Sequence, residues 1–239
     1  MSVFVQSGSN SAAGPTTTLA VTLAAATAGN LIVVWSKYEG TATTTSLSDG
    51  TATLTNGTEI GAGTRQGRMS YLLSATGGAT TYTLTLGANK TTLRLIVMEF
   101  SPTAGKTWSF DIEGTGTGNG TAIATNSITT TGTDEIVVGA VGERSSAGAK
   151  SSPQIAGIAA AGSKFEPASW GSWQWYRILT ATMNGTASIT NSVSEQWYAS
   201  VMGFTAAAAG GEPGPLTGFQ THRTILTGVC DDILAGIDG

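Results

Sequence analysis

The chain has 239 residues, of which 11% are charged, with a net charge of −4, one cysteine and one histidine. Eleven scattered basic residues offer no phosphate track, so no nucleic-acid partner is expected. Cys230 alone excludes an intrachain disulfide and a cysteine-rich zinc site, and no window approaches the ~20 apolar residues that span a bilayer.

The N-terminus, MSVFVQSGSN, lacks a basic segment followed by an apolar run, so no secretion signal is expected. From there the text is strand-like. TTTLAVTL (16–23) alternates, and the run LIVVW (31–35) is continuously apolar, which predicts a strand covered on both faces. Asp49-Gly50 reads as a turn, and Asn56-Gly57, Asn119-Gly120 and Asn184-Gly185 read as hairpin dipeptides, because Asn and Gly tolerate positive φ. MSYLLSATGG (69–78) precedes a stretch in which Tyr82, Leu84 and Leu86 alternate with Thr83 and Thr85, ending on the apolar run LIVM (95–98).

After Ser101-Pro102 the text repeats. GTAIATNS places Ile123 where the first half has Leu19, and DEIVVGAVGER (134–144) echoes NLIVVWSKYEG (30–40). Ile32 and Ile136, Met98 and Met202, and Phe100 and Phe204 are each 104 residues apart, whereas Met69 and Trp175 are 106 apart. This spacing predicts an internal duplication. The expected fold is all-β: an antiparallel β-sandwich, jelly-roll or Ig-like, built from sequence-similar halves 1–102 and 103–206. The short connection SPTAGKTW favours halves that pack closely, as two tandem sandwiches or one larger one.

Residues 207–239 differ. TAAAAGGEPGP stops any strand, and the tail beyond carries Phe219, Ile225, Leu226, Val229, Ile233, Leu234 and Ile237, partly at helical spacing. Gly228 and Gly236 weaken a helix there. The segment reads either as an arm that orders against a partner or as a frayed terminus.

Candidate chemistry is sparse. The one histidine, His222, lies in the tail, so no Ser-His-Asp triad or histidine metal site is expected in the body, nor is any cofactor. Asp111 and Glu113 in SFDIEG stand at i and i+2, which predicts one strand face; paired carboxyls about 5 Å apart would suit a retaining glycosidase. WGSWQWYR (170–177) crowds Trp170, Trp173, Trp175 and Arg177 together. Trp173, Trp175 and Arg177 would share one face, either as core or subunit packing or as a platform for a host-surface glycan. Trp108 and Trp197 are expected to fill the same layer.

With these motifs in view, the chain resembles a loose group of duplicated β-sandwich proteins of tailed bacteriophages. The resemblance rests on Ala28–Val34, Ser48-Asp49-Gly50, Met69–Gly78 and Leu95–Ser101, and covers about residues 1–206. It implies a non-enzymatic structural role in the virion, as capsid decoration, head fibre or tail-associated protein. Its partners would be other virion proteins and further copies of itself in an oligomer, and assembly would take place in the host cytoplasm.

Overall fold

A computed structural model describes residues 1–40, 45–144, 148–165 and 171–208. The tail after 208, with every proposed arm residue, and Trp170 lie outside the described residues.

The described chain is all-β. The first half contributes β1 (Val3–Ala12), β2 (Thr16–Thr22), β3 (Leu31–Glu39), β4 (Thr45–Ser48), β5 (Thr55–Ala62), β6 (Arg65–Leu72) and β7 (Thr81–Ser101). The second contributes β8 (Lys106–Ala124), β9 (Ile128–Thr129), β10 (Glu135–Glu143), β11 (Lys150–Ile155), β12 (Ile158–Ala159), β13 (Gly162–Phe165), β14 (Ser172–Leu179), β15 (Asn184–Gly185) and β16 (Ala187–Ala208). All pairing is antiparallel, and among the described residues no ladder joins the two halves.

Each half is a two-layer sandwich spanned by one long strand. β7 pairs β2 and β4 over its first part, turns at Thr92 (φ 60°), then pairs β1 and β3. Its counterpart β16 pairs β11 first and β10 later, with β8 alongside both parts. The inner sheets run β1-β7-β3-β6-β5 and β8-β16-β10-β14-β13, so the strand order repeats. These inner sheets then stack face to face: β1 lies against β13, β5 against β8, β7 against β14, β6 against β16, and β3 crosses β10. That reciprocal pattern is the one an isologous two-fold contact produces.

Three apolar layers result. One lies inside the first half around Tyr82, Ile32, Val34 and Leu95; one lies inside the second around Trp175, Val137, Val141 and Ile189. The third, between the halves, holds Trp35, Met69, Phe100, Tyr198 and Phe204. The runs predicted to be covered on both faces are so covered. Leu31, Val33 and Trp35 point to the central layer while Ile32 and Val34 point inward.

Three expectations need correction. The constant spacing of 104 does not preserve facing in every strand. Ile32 lies in the first half's own core, but Ile136 faces the central layer. Likewise Met69 faces the central layer and Trp175 the second core. Met98 and Met202, and Phe100 and Phe204, do share the central layer. A one-residue slip reverses every side chain, and a strand apolar on both faces reads equally well in either phase.

The Asn-Gly dipeptides are not hairpin turns. Asn56-Gly57 lies within β5 at a register shift, Asn119-Gly120 within β8, and Asn184-Gly185 forms the two-residue strand β15. Gly57 serves close approach: a Cβ there would meet Met202 Cε at 2.1 Å, Glu113 Oε1 at 2.6 Å and the Met69 carbonyl at 3.0 Å, so these groups would have to shift. The strand boundary also moves: Ala207 and Ala208, expected in the linker, pair with Thr107 and Lys106 as the end of β16.

Candidate functional site

The aromatic cluster is positioned by β14, whose register against β10 sets Trp173 opposite Val141 and Trp175 opposite Gly139. Trp173, Trp175 and Arg177 share one face as expected, and that face is the second core. Trp175 is fully buried, its Nε1 donating to the Gln154 carbonyl at 3.2 Å, with its ring against Gly139. Trp173 is half-buried and packs on the same core. Arg177 Nη1 donates to the Ile155 carbonyl at 3.2 Å. No indole face of Trp175 is open for a sugar to stack on. Trp108 and Trp197, expected in one layer, separate: Trp108 enters the central layer and Trp197 the second core.

The expected pairing of Asp111 with Glu113 is not formed. β8 pairs Phe110 with Phe204 and Ile112 with Gly203, so Asp111 is the extra residue of a β-bulge. The bulge reverses the alternation. Phe110 stacks on Tyr71 and Glu113 accepts from Thr58 N and Oγ1 at 2.9 Å each, both reaching the first half. Asp111 instead accepts from Thr131 N at 2.8 Å and Thr131 Oγ1 at 2.6 Å.

Asp111 has a different acidic partner, Glu135, at the start of β10. Glu135 is fully buried; its Oε2 accepts from Gly132 N at 3.2 Å, and its carboxyl also has side-chain hydrogen bonds with Asp111 and Thr130. Burial, with the hydrogen bond to Asp111 and the repulsion of its charge, pushes the Glu135 carboxyl up to about 8. Burial also pulls Asp111 upward, but its two Thr131 hydrogen bonds outweigh this and hold it below the usual carboxylate range. Burial and the Asp111 charge thus favour the protonated form of Glu135, while the Thr131 donors favour the ionised form of Asp111.

The opposite end of the layers carries a second buried polar group. Lys150 Nζ meets Glu143 Oε2 at 2.7 Å, both side chains 1% exposed, and Asn191 Nδ2 donates to Glu143 Oε1 at 2.6 Å. Burial raises Glu143 and Lys150 opposes the rise. Lys37, also buried, donates to the Gly171 carbonyl at 3.2 Å. Sequence reading passed over Glu135, Glu143 and Lys37. The one signal was their position at the ends of apolar runs, where a charge must find a partner or neutralise.

The two acidic groups, Glu135 and Glu143, stand at opposite ends of β10 among the described residues. No group of three or more His, Cys, Asp or Glu is placed to hold a metal ion there. A depression of about 550 Å³ is bounded by Asp49, Thr76, Thr80 and Thr83, but Asp49 Oδ1 already accepts from the Thr51 and Ala52 N–H groups of its own turn. The outer surface is chemically bland. Of the charged residues whose side chains are described, only Arg144 is exposed. The outer face of the β2-β7-β4 sheet presents Thr18, Thr22, Thr81, Thr83, Thr85 and Ser46, opposite to the inward-facing Leu19, Tyr82, Leu84 and Leu47. No protein-family model, curated protein or solved structure matches the chain.

Proposed function

We propose that this protein is a non-enzymatic structural component of a particle surface, a capsid-decoration or head or tail surface protein of the tailed-bacteriophage kind. It would act as an oligomer with other virion proteins, anchored through residues 207–239. The observation that carries this reading is the inward burial of charge beneath a hydroxyl-covered exterior. On a particle, copies stand side by side at separations near the Debye length of about 8 Å, where charged faces would repel. Faces of threonine, serine, alanine and glycine can crowd without that cost. The repeated strand order and the two-fold-like central layer further support a duplicated subunit fused into one chain.

The test is co-sedimentation of purified protein with particles from its source. The control is a chain ending at Ala208, because Ala206–Ala208 still pair with Trp108–Lys106 as part of β16. Pelleting of the full chain only is the expected result; pelleting of neither form overturns the proposal. The glycan reading of residues 170–177 would need ligand contacts that do not use the Trp175 ring.

A further inference from the structure

Each half holds a buried glutamate beside a bulge in the strand that flanks its long strand, and the two sites differ in what surrounds the carboxyl. In the first half Glu99 on β7 accepts from Thr27 N at 3.0 Å and Asn30 Nδ2 at 2.6 Å, and also from Gln6 Nε2. Gln6 follows a bulge in β1, between the Phe4 and Gln6 pairings. In the second half the bulge recurs at Asp111, a backbone N–H again donates (Gly132), and the carboxyl comes from β10 as Glu135 rather than from the long strand. The long strand there carries Gly203, where a Cβ would lie 2.6 Å from Glu135 Oε1. Three neutral donors surround Glu99. Around Glu135 the side-chain amides are missing and an acid stands at the bulge.

We propose that Asp111 and Glu135 form a proton latch that holds the 130–135 loop closed, and that loss of the Glu135 proton releases this loop. The loop is a junction. Asp134 accepts from Ser2 Oγ at 2.9 Å and Lys106 Nζ at 2.8 Å, and its carbonyl accepts from Ala206 N at 2.8 Å. It therefore ties together the N-terminus, the connection between the halves and the last residues of strand β16. Opening it would loosen the root of the proposed anchor.

Few other charges bear on the latch. β14 faces Glu135 with Leu179, and β16 with Gly203 and Thr205. The loop supplies Thr130 and the Gly132 N–H, while Asp134 is turned toward Ser2, Thr103 and Lys106. Glu113, also on β8, points to Thr58 in the first half. Asp111 is the charged group that confronts Glu135.

The sign follows from proton binding. Glu135 holds its proton in the folded chain up to about pH 8 but loses it near 4.5 when unfolded. Its stabilisation is complete below pH 4.5 and is lost as pH rises toward 8. The folding equilibrium constant should drop by up to ~10³-fold over that interval.

The experiment is urea unfolding of the full chain at pH 5, 7 and 9, with hydrogen exchange at Thr131 and Gly132. The variants are Asp111→Asn, which sets a neutral amide beside Glu135, and Glu135→Gln, which fixes the neutral form. Glu143 is common to all three proteins, so differences between their slopes isolate the latch. Wild type should lose stability and exchange protection at these amides as pH rises, and both variants should change less than ~10-fold. A wild-type chain insensitive between pH 5 and 9, or variants that keep its slope, would overturn the proposal.

Discussion

Replacing Trp175 by alanine separates a core indole from a ligand platform. The ring is fully buried and lies among Val137, Val141, Leu179 and Ile189, against a glycine chosen to admit it. A Cβ at Gly139 would come within 2.7 Å of its Cε2. Such a site cannot collapse easily, because the facing strands β10 and β16 are held by full ladders. Large-to-small truncation of a buried Trp costs about 3–5 kcal/mol. The Gln154 carbonyl loses its Nε1 donor as well, adding about 1 kcal/mol. Each kcal/mol shifts Tm by roughly 2–4 °C in a body of this size, so the core term alone lowers it by roughly 6–20 °C. The assay is thermal unfolding monitored by circular dichroism, with glycan binding measured in parallel on the same preparation. A Trp175→Ala protein that melts with wild type while losing affinity for a glycan would refute the core assignment and restore the platform.

Three further outcomes follow from the charged groups and the tail. Glu143→Ala leaves Lys150 and Asn191 facing an empty buried site and should cost about 3–5 kcal/mol in urea unfolding; Glu143→Leu with Lys150→Met should recover most of it. Burial pushes the Asp134 carboxyl upward, but Lys106, Thr103 and Ser2 outweigh this and hold it well below the ordinary range. The folded chain thus binds fewer protons than the unfolded one below about pH 4, so stability is lost as pH falls there, and Asp134→Asn should flatten that acid limb. A chain ending at Ala208 should melt within about 2 °C of the full protein, since every described ladder is retained; a larger fall would make the tail part of the folded body.

Much of the fold was legible in the chain. Alternation of Tyr82, Leu84 and Leu86 with threonines assigns one buried and one wet face, and the apolar runs 31–35 and 95–98 announce strands covered twice. These are one-dimensional signals, and side-chain period converts them directly into burial. Phase was not legible where both faces are apolar, so Ile32 and Ile136, alike in text, went to different layers. The Asn-Gly pairs misled because glycine also serves close approach, as at Gly57 beneath Met202.

The sites show the same division. Composition alone determined that few charges exist and that histidine and cysteine chemistry is absent from the body. Tertiary structure decided where the charges went. An unmarked bulge at residue 111 turned Asp111 away from Glu113 and toward Glu135, which is 24 residues later in the chain. A bulge depends on how two strands register, and a carboxyl's hold on its proton depends on which groups meet it out of water. Both are properties of pairs distant in sequence, so only the packed chain could settle them.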